Sequence, residues 1–295
     1  MATKFYFGDK PLLSQPSLGG GKMGRAYIGG TQVYGGPAYD ADAILFFDAV
    51  EGGGDTLTDT QKDAVNQLVV DLKAVSLWTP MVSIYPYVGG TATAHKWNLK
   101  DPRDLDAAYR ITWGSTVNHG VLGVKGTSRD NNSYGDTHYN PFIQGDTGFT
   151  AGVYINDGLG PTPANVYDWG AYDGTNDNMI SFGFNNKTTM YAAFDGTTYI
   201  NTTGGTYTNS FFAGSNDGTN TTIWQNGSSL TTSAQLYDPT NLSYAMLASN
   251  RTPVTSAETG RGHGIAIMAN SGFDATQMSN LNTAISTYVT ALSRN

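Results

Sequence analysis

Apolar residues recur along this chain with two periods, and the switch from one to the other divides it. Between residues 58 and 75 the interval is helical, with Val65, Leu68, Val69, Leu72 and Val75 on one stripe. The preceding "TDTQ" supplies a capping box, Thr58 as N-cap and Gln61 at N3. Upstream, Asp40 caps a shorter helix through "ADAILFFDAV", which "EGGGD" ends. After Trp78, "TPMVSIYPYVGG" is expected to add one more helical turn before Pro86 and Gly89-Gly90 stop it. The chain closes on another helix, where Asp274 and Gln277 form an acidic capping box ahead of Met278, Leu281, Ile285, Tyr288 and Leu292. So narrow a stripe needs a partner: the first helical region, a sheet edge or a second copy.

From residue 108 the period shortens to that of a strand. "YRITW" (109–113), "HGVLGVKG" (119–126), "GFTAGVYIN" (148–156), "NVYDWGAY" (165–172), "MISFGFN" (179–185) and "MYAAFDG" (190–196) alternate apolar with polar or small residues. "SFFAGS" (210–215), "TTIWQNGSSL" (221–230), "YAMLAS" (244–249) and "HGIAIMA" (263–269) continue the series. Closely spaced strands of this kind predict a mainly β fold, an antiparallel jelly-roll sandwich. Asn226-Gly227, flanked by Ile223, Trp224 and Leu230, is the strongest hairpin signal.

Ahead of all this, "FYFGDKPLL" (5–13) and "AYIGGTQVY" (26–34) repeat one pattern, each readable as a short hairpin, joined by the flexible "SQPSLGGGKMG". Hairpins so small cannot bury their own apolar side chains, so they dock on a neighbour or on the rest of the chain. The predicted organisation is a docking arm over 1–36, a small helical region over 37–94, and a sandwich over 95–295 closed by a C-terminal helix at 274–294.

Composition agrees with this division. Only 14% of the 295 residues are charged, while 37 are glycine and 18 are tyrosine. The net charge is −8, and of the 16 Lys and Arg only Lys187, Arg251, Arg261 and Arg294 lie beyond residue 130. A surface so poor in cations argues against nucleic acid and anionic membrane as partners. The absence of cysteine excludes disulfides and thiolate metal sites. "MATKFYFGDKPLL" lacks the apolar run of a secretion signal, and no segment reaches spanning length, so neither export by that route nor membrane insertion is expected.

The densest chemistry lies in "HKWNLKDPRDLDAAYRITW" (95–113), where His95, Asp101, Asp104 and Asp106 invite a metal or hydrolytic reading. Six residues separate the histidine from the first carboxylate, Pro102 forces a turn, and Arg103 and Arg110 are near enough to pair with the aspartates. The favoured reading is a structural joint anchored by the tryptophans. A glycosidase needs two carboxyl groups facing one bond. The chain has two glutamates, Glu51 and Glu258, neither in a strand, and no acidic pair on one strand face. "GGGKMG" (19–24) has Met23 where a phosphate loop needs Ser or Thr. His119, His138 and His263 are scattered singly. "DGTNDN" (173–178) has calcium-loop spacing at Asp173, Thr175 and Asp177, but Asn178 and Phe184 replace the glycine and glutamate. A loop calcium ion of another kind stays open. No residue is therefore assigned a catalytic, cofactor-binding or metal role, and no enzymatic activity is expected.

"DLKAVSLWTPMVSIYPYVGGTA", the 95–113 stretch, "DTHYNP" (136–141), "IWQNG" and "ATQMSNLNTAISTYVTALSR" together resemble the concanavalin-like (LamG-like) proteins encoded among tailed-phage structural genes. "AYIGGTQVY" is similar to short repeats at the starts of such proteins. The resemblance spans about residues 24–295 and is most specific over 65–113. It implies a jelly-roll sandwich in a virion structural protein (fibre, tail or capsid decoration), assembled in the host cytoplasm and released by lysis. It supplies no catalytic residues. The expected partners are other virion proteins and further copies of the chain, in an oligomer or on a lattice. The alternative is a carbohydrate-binding adhesion module, with loop Tyr and Trp stacking on host glycans.

Overall fold

The computed structural model describes residues 6–7, 10–11, 25–28, 31–35, 39–127, 132–157, 167–175, 177–183, 189–196, 199–203, 208–251, 256–257 and 261–294. Met1–Tyr39 clusters as a unit of its own, and Asp40–Asn295 as a second. In the first unit, β1 (Tyr6–Phe7) pairs antiparallel with β2 (Lys10–Pro11), and β3 (Arg25–Ile28) with β4 (Thr31–Gly35). These are the two hairpins that the repeat predicts.

The second unit opens with α1 (Ala41–Gly52) and α2 (Asp59–Ala74), both starting where their capping residues place them. Asp40 accepts from the Asp42 amide at 3.0 Å. Thr58 and Gln61 satisfy each other's backbone N–H groups at 3.2 and 3.0 Å. There follow β5 (Met81–Tyr85), α3 (Ala92–His95), a 3₁₀ turn (Asp106–Ala108), β6 (Thr112–Trp113), β7 (Val117–Gly120), β8 (Gly123–Gly126), β9 (Gly135–Asp136) and α4 (Pro141–Gln144). The long strands come next: β10 (Phe149–Asp157), β11 (Trp169–Tyr172), β12 (Asp177–Gly183), β13 (Thr189–Gly196), β14 (Ile200–Thr203), β15 (Ser210–Asn216), β16 (Asn220–Gln225) and β17 (Ser228–Ala234). β18 (Ala245–Met246), β19 (Ala248–Arg251), β20 (Ser256–Ala257), β21 (Gly262–Ala269) and α5 (Ala275–Ala291) complete the unit. The capping box of α5 is formed as expected, Asp274 accepting from the Gln277 amide at 2.8 Å.

Two sheets result. The first runs β17–β16–β15–β10–β21 and continues through β8 to β7. β21 meets β8 through Gly262 and His263, and β5 through Ala266–Ala269, so two strands share one edge in tandem. The second runs β14–β13–β12–β11–β18–β9–β6, with β19 parallel to the end of β11 and paired with β20. Between the sheets lies an aromatic core. Phe149 of the first packs edge-on against Trp169 of the second at 5.3 Å, and Trp169 lies 4.8 Å from Tyr244. The β16–β17 hairpin turns on Asn226 (φ 48°) and Gly227 (φ 79°), the left-handed pair that a two-residue turn demands.

The centre of the first sheet is buried on both faces, while its edge strands β17 and β7 are largely exposed or half-buried. Every residue of β15 and β21 is buried. Phe212, Ala266 and Met268 enter the inter-sheet core, and their neighbours Phe211, Ile265 and Ile267 point to the opposite side. That outer side carries the helical layer, where α2 packs on α5 and α5 on β15 and β17. The buried stripe of α5 is broader than the predicted one, taking in Ala284 and Val289, while Leu292 is only half-buried.

Three expectations are corrected. "TPMVSIYPYVGG" holds a strand, β5, in place of a helical turn: the free edge of β21 offers its run of backbone bonds to a short β-branched segment, a partner that local sequence cannot reveal. The expected boundary at residue 94 separates β5 from β21, yet the two strands pair in one sheet. "YRITW" pairs only at Thr112–Trp113, because Tyr109 adopts φ 59° and ends the 3₁₀ turn.

A buried polar bridge joins the layers. An irregularity in the β10–β21 pairing sets His263 opposite Ile155, so its side chain faces inward. His263 Nε2 lies 2.9 Å and Arg261 Nη1 2.5 Å from the carboxylate of Asp168, just ahead of β11 in the other sheet. Trp224 is also buried, and its indole N–H donates to Ser215 Oγ at 2.8 Å. Trp224→Ala is expected to lower unfolding free energy by about 3–5 kcal/mol, read from urea titration; an unchanged midpoint would contradict the packing of β16.

Candidate functional site

The site begins with one buried asparagine. Asn98 has no exposed surface, and its amide is fully used. Oδ1 accepts from the Ile84 and Lys100 amides, both at 3.0 Å, and Nδ2 donates to the carbonyls of Val82 (3.1 Å) and Ala108 (3.0 Å). One side chain thereby welds β5 to the connection that carries residues 98–109. A buried amide so saturated fixes backbone as firmly as a sheet ladder.

At the far end of that connection Tyr109 is held in the left-handed region, where a bulky residue costs about 1–3 kcal/mol. Both of its backbone groups are pinned. Its N–H donates to the Asp106 carbonyl at 2.9 Å, and its carbonyl accepts from the Tyr85 hydroxyl at 2.6 Å. Its half-exposed ring meets Tyr139 edge-on at 5.0 Å and 88°. The Tyr139 hydroxyl donates to Asp146, whose position follows from α4, capped by Asn140 at one end and closed by left-handed Gly145 at the other.

These elements enclose an open cleft of about 320 Å³. Met81 and Val82 of β5 give it an apolar wall, and the Tyr109 and Tyr139 rings line it. Lys100, Asp101, Gln144 and Asn270 supply the polar groups. Arg103 grips both Asp101 oxygens and holds that carboxyl below the usual carboxylate range. Burial pushes Asp146 the other way, upward. Burial, reinforced by the charges of Asp146 and Asp101, raises the Tyr109 phenol, so it is a neutral hydroxyl at ordinary pH. Burial depresses Lys100, whose ammonium donates to the Trp78 carbonyl at 2.7 Å and lies 4.1 Å from the Trp78 ring centroid. The cleft thus offers an aromatic face, planar amides and a fixed carboxylate.

The reactive residues of 95–113 do not converge. Asp101 faces Arg103; Asp104 pairs with Lys96 (2.8 Å) and Arg110 (3.3 Å); Asp106 pairs with Arg110 (2.9 Å) and His138 (3.4 Å). His95 is buried and faces His119. Asp173 spends its carboxylate on the Thr175 amide (2.9 Å) and the Asn241 amide (3.4 Å), and the Asp177 side chain lies outside the described residues. Glu51 pairs with Lys62. Glu258 and "GGGKMG" fall outside the described residues, in which no cluster of three or more His, Asp or Glu is placed to hold a metal ion.

No protein-family model matches the sequence, and no curated protein matches it. Solved structures do match its shape. The fold is concanavalin-like. The Trypanosoma rangeli sialidase in complex with sialic acid aligns with TM-score 0.51 and 9% identity, over 69% of this chain and 32% of that one. Domain 4 of AbnA, an extracellular GH43 arabinanase from Geobacillus stearothermophilus in complex with arabinotriose, aligns at 0.44 and 12%, over 68% of this chain and 97% of the domain. The botulinum neurotoxin serotype G binding domain aligns at 0.47 and 13%, over 69% of this chain and half of that one. At such identities these likenesses concern the fold alone.

Within this concanavalin-like frame, the sequence reading weighed Asp101 but set it aside as part of a structural joint, and it gave Asn98, Tyr109, Gln144 and Asn270 no role. One signal was present: Asn98 stands between Trp97 and Leu99, both buried, where a polar residue needs a reason. Asn98→Ala strips four backbone groups of their shared partner and is expected to cost at least about 3 kcal/mol. Chemical denaturation checks the loss, and a variant as stable as the parent would refute the hub.

Proposed function

We propose that this chain is a carbohydrate-binding module whose sugar site is the Tyr109 cleft. The reading is carried by Tyr109 itself, an aromatic ring fixed at the edge of an open cleft by a backbone conformation that costs stability. Strain of this kind persists where the surroundings over-determine it, and it clusters at ligand sites. A pyranose stacks its C–H face on such a ring, while Asp101, Gln144 and Asn270 suit vicinal hydroxyls. Asp101, the carboxylate that lines the cleft, is held ionised by Arg103, which suits binding better than proton donation to a glycosidic bond.

The test is a glycan array with the parent chain and Tyr109→Ala. The parent should bind a defined glycan set, and the variant should lose at least about tenfold in affinity, some 1.4 kcal/mol, with its melting temperature close to the parent's. Silence of the folded parent across the array, or equal binding by the variant, would end this reading. Release of reducing sugar from a bound polysaccharide would make the chain an enzyme instead.

A compatible reading places the module on a tailed-phage particle, as a fibre, tail or capsid-decoration protein docked through residues 1–36. The resemblance over residues 24–295 supports it, as do the two hairpins of the first unit. Denaturing gels of purified virions should then show the polypeptide in many copies, and its absence from every particle preparation would remove the virion role.

A further inference from the structure

Where the helical layer meets the first sheet, three stretches converge: the segment from Pro86 to His95, the β7–β8 turn, and the chain after α5. Arg294, on the last of these, binds the other two and β21 through carbonyl oxygens. Nη1 donates to Pro86 (3.0 Å) and Gly264 (2.6 Å), Nη2 to Tyr87 (2.7 Å) and Val121 (2.9 Å), and Nε to Val121 (3.1 Å). The Tyr288 hydroxyl of α5 donates to the same Pro86 carbonyl. The guanidinium is buried, and each of these five hydrogen bonds ends on a backbone carbonyl. Beside it, His95 Nδ1 lies 3.1 Å from His119 Nδ1. The Tyr87 ring is 5.7 Å from His95, and the Trp113 ring stands edge-on to His119 at 5.0 Å.

The protons of this pair are fixed by a third contact. The Gly90 amide donates to His95 Nε2 at 3.2 Å. That amide is aimed by a left-handed Gly89-Gly90 turn (φ 93° and 81°), and a Cβ on Gly89 would come within 2.5 Å of Ala94 Cβ. Since Nε2 of His95 is an acceptor, the neutral ring carries its proton on Nδ1 and donates to His119. His119 therefore has a bare Nδ1 and carries its own proton on Nε2. Each ring has one vacant nitrogen, and each vacancy already faces an N–H. A second proton on either ring sets donor against donor.

We propose that the His95–His119 pair is an acid-sensitive latch, holding the Pro86–His95 segment, the β7–β8 turn and the Arg294 end of the chain together while both rings are neutral. Protonation opposes the Gly90 and His–His contacts and adds positive charge beside Arg294, so the three stretches separate. His95, His119, Arg294, Tyr87 and Tyr288 are the titratable or charged groups that meet there. Burial, then the charges of His119 and Arg294, holds His95 well below its ordinary value against a backbone hydrogen bond at Tyr87 that works the other way, and burial pushes His119 down to about 4.

Unfolded histidine takes up its proton near about 6.5, so between there and the depressed native values the unfolded chain binds more protons than the folded one. Stability from the pair is complete above that upper limit and is lost as pH falls through the window. Asp146, raised by burial, acts with the opposite sign, so the comparison must be made against a variant.

The experiment is urea unfolding at steps from about pH 7.5 to 4.5, for the full chain and for His119→Asn. The parent's folding constant should fall at least about tenfold more than the variant's across the window; equal falls would overturn the latch. Nitrogen-15 NMR of the parent's imidazoles provides a readout that survives if the variant fails to fold. Both rings should be neutral at pH 7, with Nδ1 of His119 bare, and the Val121, Leu122 and Arg294 amide signals should shift together as the rings titrate. A ring titrating near the ordinary histidine value, or Arg294 signals unmoved by the titration, would overturn it.

Discussion

The constraint on which the rest depends is the double-sided burial of the first sheet's centre. A strand such as β21, with every residue buried from Gly262 to Ala269, cannot alternate between core and water. Its inner face needs the second sheet and its outer face needs the helices. The helices in turn have no other surface for stripes such as Leu68–Val69–Leu72 and Leu281–Ile285–Tyr288. Neither layer is stable alone, so residues 40–295 form one compact unit despite the mixture of periods in the sequence.

Such a layered interior traps polar groups, and each buried one is a point of specificity. Asn98 satisfies its amide against β5 and the 98–108 connection; Asp168 answers Arg261 and His263 across the sandwich; Arg294 is met by carbonyls from three stretches. Apolar contact alone would let the layers slide, whereas these groups tolerate one register each. The cleft inherits that precision. Its apolar wall is β5 and its rim is the connection that Asn98 fixes to β5.

What could be read from the sequence was whatever neighbours in sequence decide. Asp40, Thr58 with Gln61, and Asp274 with Gln277 cap helices through contacts within three residues, so their spacing sufficed. Asn226-Gly227 fixed a hairpin for the same reason. Most strands were visible in their alternation, and the jelly roll with them. β5 was not, because a short apolar run ahead of a proline suits a helix end or a strand, and its partner β21 lies more than 180 residues away. The site was half legible. Local spacing showed that the aspartates of 101–106 would face Arg103 and Arg110. The left-handed backbone of Tyr109, and the arrival of Gln144 and Asn270 beside it, depend on contacts between distant segments.

A rigid cleft with one stacking ring has a consequence for the two functional readings together. Preorganisation removes the ordering cost of binding, but a single aromatic face and a few hydroxyl contacts yield weak affinity per site. A module of this kind gains strength chiefly by repetition, since copies held on one scaffold raise the effective concentration of each next contact. The arm and the cleft would then be parts of one device, the arm setting how many clefts stand together and the cleft setting which surface they meet.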